Sequence, residues 1–230
     1  MGKNKNNIRK VTLSYVLRLF YFMSGIALGS FASMLMIRAN IGLGPWAAFH
    51  IGISQKVGMS YGMVVLLVGV LILALTLSLK EPIGFGTILN ILTSGPLTDL
   101  FMNIVPIPKM RIYWQGLLLM IFGLILSSFA LYFYLKAGLG AGPRDSLMIA
   151  LKKRMSVPIG GVRVITEGTA LLIGWLLGAK VGLGTVLAVI WDGIILQSVF
   201  TMLHFDVRKV HEENIRETLS HFRVVSVSER

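Results

Sequence analysis

The chain has 230 residues, 55% of them hydrophobic and only 14% charged, with a mean hydropathy of +0.77; a soluble domain carries roughly 25% charged residues, so this chain holds more apolar surface than one aqueous core can hide. It has no cysteine and four histidines, which excludes disulfides, thiolate metal sites, iron–sulfur clusters and a cysteine nucleophile, so neither a metal nor a cofactor is expected. Its net charge of +12 would suit nucleic acid in a soluble protein, but basic residues collect on the cytoplasmic loops of membrane proteins, and no nucleic-acid partner is expected.

A helix of about 20 mostly apolar residues crosses a bilayer. Residues 1–12 are a basic segment, and the apolar run that follows, about 13–37, is too long for a signal peptide and carries Arg18 near its start. It reads as a first spanning helix. Next comes IGLGPWAAFHIGISQKVG (41–58), in which glycines and Gly-Pro precede a short helical pattern. Gly permits positive φ and Pro suits the first helical turn, so Gly42, Gly44 and Pro45 predict a sharp turn into a short helix, either partly embedded or interfacial. A second span covers about 60–79. A third, weaker one covers about 84–105 and holds Asn90, Pro96 and Asp99; Asp99 reads as interfacial.

The fourth span, about 112–135, is strong. It leads into GLGAGPRDSLMIALKKR (138–154), where Gly140, Gly142 and Pro143 repeat the earlier pattern. A fifth span at about 160–178 holds Arg163 and Glu167, and a sixth at about 183–203 holds Asp192. The polar segment after 203 contains five of the ten acidic residues and a loose apolar stripe, Val207, Val210, Ile215, Leu219 and Phe222, which predicts a short amphipathic helix.

At a shift of 98 residues the two halves align without a gap. Gly42, Gly44 and Pro45 fall on Gly140, Gly142 and Pro143; Gly62 falls on Gly160; Gly84, Gly86 and Thr87 fall on Gly182, Gly184 and Thr185; Gly95 falls on Gly193. Gly and Pro mark backbone conformation, so their recurrence in one register predicts a repeated fold. Residues 13–105 and 106–203 are the two units, and three spans in each invert the second copy. With the N-terminus inside, the cytoplasmic segments carry fifteen basic residues, among them Lys3, Lys80, Lys152, Lys153 and Arg154. The outer segments carry Arg38, Lys56, Lys109, Arg111 and Lys180. This bias predicts both termini, and the tail 204–230, in the cytoplasm. Inverted repeats with broken helices near the midplane are common in secondary transporters.

Charges inside a bilayer cost roughly 2.5–3.5 kcal/mol each and face cavities or partners. Arg144, Asp145, Arg163, Glu167 and Asp192 are therefore the substrate-binding or coupling candidates. Their counterparts at the shift are Trp46, Ala47, Val65, Gly69 and Ser94, none charged, so polar function is expected in the second half. Arg163 and Glu167 are four apart and can pair on one helix face, which would equally serve mere neutralisation. Asp145 suits a helix N-terminus and would equally be a cap. Asp192 would be protonated or paired with an Arg. Trp46 and Trp191 read as packing residues, and His50 as a polar residue of the short helix.

IRANIGLGPW (37–46), GLGAGPRDSLMIAL (138–151), the VRxxxE spacing of Val162, Arg163 and Glu167, and VGLGTVL (181–187) resemble the YczE/YyaS/YitT-type integral membrane proteins, closest to the YczE branch. The resemblance covers nearly the whole chain except the polar ends. The first motif of that family usually reads GPWD; Ala47 stands at the Asp here, so no role of that carboxylate carries over. The resemblance implies a multi-pass protein of the bacterial plasma membrane and implies no substrate or reaction. No nucleophile–base pair, HExxH, GxSxG or Walker pattern is present, so no enzymatic activity is expected. Two readings remain: a transporter of a small polar or anionic solute or ion, and a non-transporting accessory or regulator of another membrane protein. In either, the lipid bilayer is the first partner.

Overall fold

The computed structural model describes residues 2–140, 142–156, 159–205 and 213–214, with side chains from Tyr15 onward except positions 149, 159–161 and 163. Eight helices follow in order: α1 (Gly2–Ala39), α2 (Pro45–Val57), α3 (Tyr61–Ser78), α4 (Phe85–Ile104), α5 (Tyr113–Ala137), α6 (Pro143–Lys152), α7 (Ile159–Leu176) and α8 (Leu183–Met202). The first helix runs back through the basic residues 2–12. The amphipathic helix expected after 203 lies almost wholly outside the described residues.

Local signals explain the boundaries. Pro45 opens α2 at its first turn, and Gly58 closes it in the left-handed region at φ 69°, as glycine does at many helix ends. Ser60 caps α3 by accepting a hydrogen bond from Met63 N. Gly138 ends α5 at φ 62°. Four helices are long and apolar enough to cross a membrane: Tyr15–Ala39, Tyr61–Ser78, Tyr113–Ala137 and Leu183–Met202. Two of the six expected spans, α4 and α7, are not among these four. Asn90, Pro96 and Asp99 dilute α4, while in α7 only the apolar stretch Val164–Leu176 has its side chains described without a break. The exposed faces are lined with large apolar residues such as Leu71, Leu118, Val164 and Leu183, as lipid contact requires.

The centre is the pairing of α1 with α5. Gly25 lets them approach so closely that a Cβ there would lie 2.7 Å from Tyr134 N, the close backbone packing small residues allow in membranes. Helix α4 flanks α1, α8 flanks α5, α2 crosses α7 and α6 packs on α3. Two apolar clusters sit along the central pair. One contains Phe22, Ile26, Ala137 and Leu139; the other contains Met120, Leu124, Ala39 and Ile41. The second set is the first moved by 98 positions. Hydrogen bonds recur at the same shift: Gly184 N donates to Ile41 O at 3.1 Å, and Gly86 N to Leu139 O at 2.8 Å.

The turns before α2 and α6 differ from expectation in which glycine is constrained. Gly44 has φ −62° and ψ 161°, ordinary extended backbone with open space around a built Cβ. Gly42 and Gly140 are the constrained pair, at φ 144° and 118°. A Cβ on Gly42 would lie 2.4 Å from Thr185 N, and one on Gly140 2.5 Å from the Gly84 Cα. Gly142 is tight only against side-chain atoms, Tyr134 Oη at 3.3 Å and Asp145 Oδ2 at 3.5 Å.

Candidate functional site

A cavity of about 390 Å³ lies within the bundle and takes wall residues from all eight helices. Its size falls in the range of small-molecule sites. Hydroxyl side chains, which a purely lipid-facing helix has little use for, point into it: Ser30 and Ser33 from α1, Thr98 from α4, Ser127 and Ser128 from α5. Ser30 and Ser128 occupy matching positions at the 98-residue shift. Ser30 Oγ donates to Ser94 O at 3.0 Å, tying α1 to α4.

The short helices supply the charged end. Their first turns face each other, because Arg144 on α6 lies over the ring of Trp46 on α2, with its guanidinium carbon 4.9 Å from the ring centroid. Such a stack contributes roughly 0.5–2 kcal/mol. Trp46 and Arg144 are themselves counterparts in the two halves, so each short helix brings the same position to the same place. Arg144 makes no hydrogen bond to protein among the described residues, and Asp145 and Glu167 act on it electrostatically, as does Tyr61. The positive end of the α6 dipole adds to the guanidinium at this point.

Arg144, Asp145, Glu167 and Asp192 all line the cavity, on α6, α7 and α8. Gly142 and Pro143 line it too; Gly42, Gly44, Pro45 and Gly140 shape the turns behind it. Position 163 lies one turn before Glu167 on α7, but the side chain of Arg163 lies outside the described residues, and with it the expected pair with Glu167. The counterpart positions Gly69 and Ser94 also reach the wall, so one side of the cavity is acidic and the other small and neutral. Among the described residues no group of three His, Asp or Glu is placed to hold a metal ion.

Two residues matter more than the sequence suggested. His50 is 2% exposed and ringed by Trp46, Phe49 and Tyr61, with centroids 6.2, 5.8 and 5.9 Å away. Its Nδ1 has no hydrogen-bond partner among the described residues, and its ring reaches the cavity. The spacing of Trp46 and His50, one helical turn apart, was the available signal. Asp99 is not a bystander at an interface. Its carboxylate accepts from Gly62 N at 2.8 Å and from Ser60 Oγ, clasping the N-terminus of α3 to α4.

Comparison with known proteins places this architecture. Residues 16–201 match the family described as "Family of unknown function (DUF6198)". The chain belongs to that family. It is 33% identical over 184 residues to the uncharacterized membrane protein YczE of Bacillus subtilis (strain 168), covering 79% of this chain and 85% of the relative. It is 31% identical over 163 residues to an uncharacterized protein of Haemophilus influenzae, covering 71% and 74%. The uncharacterized protein YyaS of Bacillus subtilis is 28% identical over 186 residues, covering 78% and 90%. No solved structure matches the chain. The likeness to YczE and YyaS read from the motifs is thereby borne out, and this member of the family is a membrane protein. The family match spans all eight helices, so every cavity wall belongs to the shared fold.

Proposed function

We propose that the protein is a secondary transporter of a small polar solute, with an anionic group of the solute held by Arg144. On this reading six helices span the bacterial plasma membrane as two inverted three-helix repeats, both termini are cytoplasmic, and α2 and α6 are short embedded helices that meet near the midplane. The observation that carries it is the cavity itself. It is fed by all eight helices and carries polar and charged groups among apolar ones in its wall, with the stacked Arg144 at the meeting point of two matching helix starts. Transporters built from inverted repeats place their sites at such a meeting of broken helices. The position-for-position match of the two apolar clusters, and the paired Gly184–Ile41 and Gly86–Leu139 hydrogen bonds, support the repeat.

Roles follow from chemistry. Arg144 presents five donors to a carboxylate or phosphate-like group, and Trp46 fixes the plane of its guanidinium. Glu167 and Asp192 are the groups through which a proton or a cationic part of the solute would be carried. Nothing in this reading involves covalent chemistry.

The test is uptake into liposomes containing the purified protein, with a panel of labelled small acids and amino acids, preceded by a thermal-shift screen in which a bound solute raises the melting temperature. A hit should be saturable and should fall by about tenfold or more in Arg144→Lys, which keeps the charge and loses the planar stack. If no solute stabilises or crosses, and the protein co-purifies from its own membrane with a stoichiometric second protein, the accessory role takes its place.

A further inference from the structure

The two halves share a fold but are not in the same conformation. In the first half α3 packs along α4. A Cβ on Gly62 would lie 2.2 Å from the Gly95 carbonyl oxygen, and one on Gly95 would lie 2.2 Å from that of Gly62. Farther along the same seam, a Cβ on Gly69 would lie 3.1 Å from Ile91. The seam is shut backbone to backbone.

In the second half the matching helices are α7 and α8. Among the described residues they make no more than isolated contacts. Among the described residues nothing lies within 4 Å of a Cβ placed on Gly193, the counterpart of Gly95, and Gly193 is exposed. Val189, the counterpart of Ile91, is 53% exposed. Most other equivalent helix contacts are retained: α1 with α4 and α5 with α8, α2 with α7 and α6 with α3, α2 with α3 and α6 with α7; the slight contact of α4 with α6 has no equivalent of that size between α8 and α2. So the largest difference lies at one seam.

A fastening accompanies the shut seam, and the matching position on α8 is bonded differently. Asp99 on α4 accepts from Gly62 N and Ser60 Oγ at the start of α3. Its counterpart on α8 is Gln197, whose Nε2 instead donates to Thr201 Oγ1 within its own helix at 3.2 Å. The cavity walls contributed by α7 and α8, Glu167 and Asp192, flank the open seam.

We infer that these seams are the two gates of the cavity and that they close alternately. The protein stands here with the α3/α4 gate latched by Asp99 and the α7/α8 gate open. A second state has the α7/α8 seam shut at Gly193 and the α3/α4 seam parted at Gly62 and Gly95. The inference rests on the transporter reading for its purpose but not for its geometry. With the termini in the cytoplasm, the latched seam faces outward and the open one inward. A glycine at position 193 has no work to do in the open state, where a side chain would fit; it is needed for the shut one, as Gly95 is needed at the seam now shut. Interfaces of this kind are bistable, so a local latch can select between two whole-molecule arrangements.

The sequence has no cysteine, so spin labels can be placed one pair at a time. One pair goes on the exposed positions Val164 and Ile194 across the open seam, the other on Leu67 and Leu92 across the shut one. Distances are read by pulsed electron resonance in liposomes. Asp99→Ala is expected to lengthen the Leu67–Leu92 distance and, with it, to shorten the Val164–Ile194 distance. Adding Gly193→Leu, at an exposed position where a Cβ meets no described atom within 4 Å, is expected to abolish the shortening. If Asp99→Ala moves neither pair, or parts α3 from α4 with no response at α7 and α8, the alternating gates are refuted. Persistence of the short Val164–Ile194 distance in the Gly193→Leu protein refutes them as well. Reciprocal distances with no solute crossing in the uptake panel would uphold the gates and remove transport as their purpose.

Discussion

Gly42 and Gly140 turn the chain in backbone that other residues reach only at a cost. Both have strongly positive φ, and both lie against backbone of the other half of the molecule. Gly42→Ala or Gly140→Ala therefore adds strain of roughly 1–2 kcal/mol to a clash that no side-chain rotation relieves. Either change should lower the melting temperature in detergent by several degrees or prevent recovery of folded protein. Gly44→Ala should melt within about a degree of the parent, because its backbone is extended and its surroundings open. The sequence marks all these glycines alike; only the dihedral angle separates the one that bends the chain from the one that merely precedes Pro45. The candidate charges were easier to read. Arg144, Asp145, Glu167 and Asp192 stood out because bilayers penalise charge, and they meet in one cavity. His50 and Asp99 read from the sequence only as a polar residue of a short helix and an interfacial carboxylate. A lone His on a short helix carries no charge penalty, and Asp99 lies 37 positions from the Gly62 amide it clasps, a separation that no local pattern reports.

At the scale of helices, glycine spacing decides which pairs can cross. Helix α2 meets α7 where Gly52 faces Gly174: a Cβ on Gly174 would lie 2.5 Å from Ala48 C, and one on Gly52 2.8 Å from Gly174 O. In the other half Ala150 and Thr76, the counterparts of Gly52 and Gly174, are fully buried on α6 and α3. The same crossing thus tolerates slightly larger residues in one half than in the other. Gly174→Ala should destabilise the protein by about 1–3 kcal/mol through overpacking. Gly168→Ala, one and a half turns earlier on α7 with nothing near it, should be neutral or stabilising by up to about 1 kcal/mol, since alanine is the better helix former. Denaturation of the two variants side by side checks this, and equal losses would mean that α2 does not sit on Gly174. The helices that apolar content alone identifies are α1, α3, α5 and α8. Helix α4 escapes that criterion because it carries polar residues, among them Asn90, Ser94 and Thr98, that reach the cavity wall. A helix that lines a polar cavity cannot also be uniformly apolar.

The whole molecule is best tested by its sidedness. Two three-span repeats inserted in opposite senses place the ends of α2 and α6 on opposite sides of the membrane, although the two helices occupy the same step of each repeat. The basic residues agree: α6 ends on Lys152 and is followed by Lys153 and Arg154, while α2 ends near the single Lys56. Single cysteines substituted for Lys56, Lys109 and Lys152 can each be probed with an impermeant thiol reagent in whole cells and in inverted vesicles. Positions 56 and 109 should react in cells, and position 152 only after inversion. The ion pair of Lys153 with Glu81, at 2.5 Å, joins the end of α6 to the loop between α3 and α4, so that loop must share the side of position 152. A cysteine at Lys80 should therefore label with Lys152 and not with Lys56. Labelling of positions 56 and 152 from the same side would leave an even number of crossings between them. The two halves would then run parallel, and the opposed gates inferred from the α3/α4 and α7/α8 seams would open to one compartment.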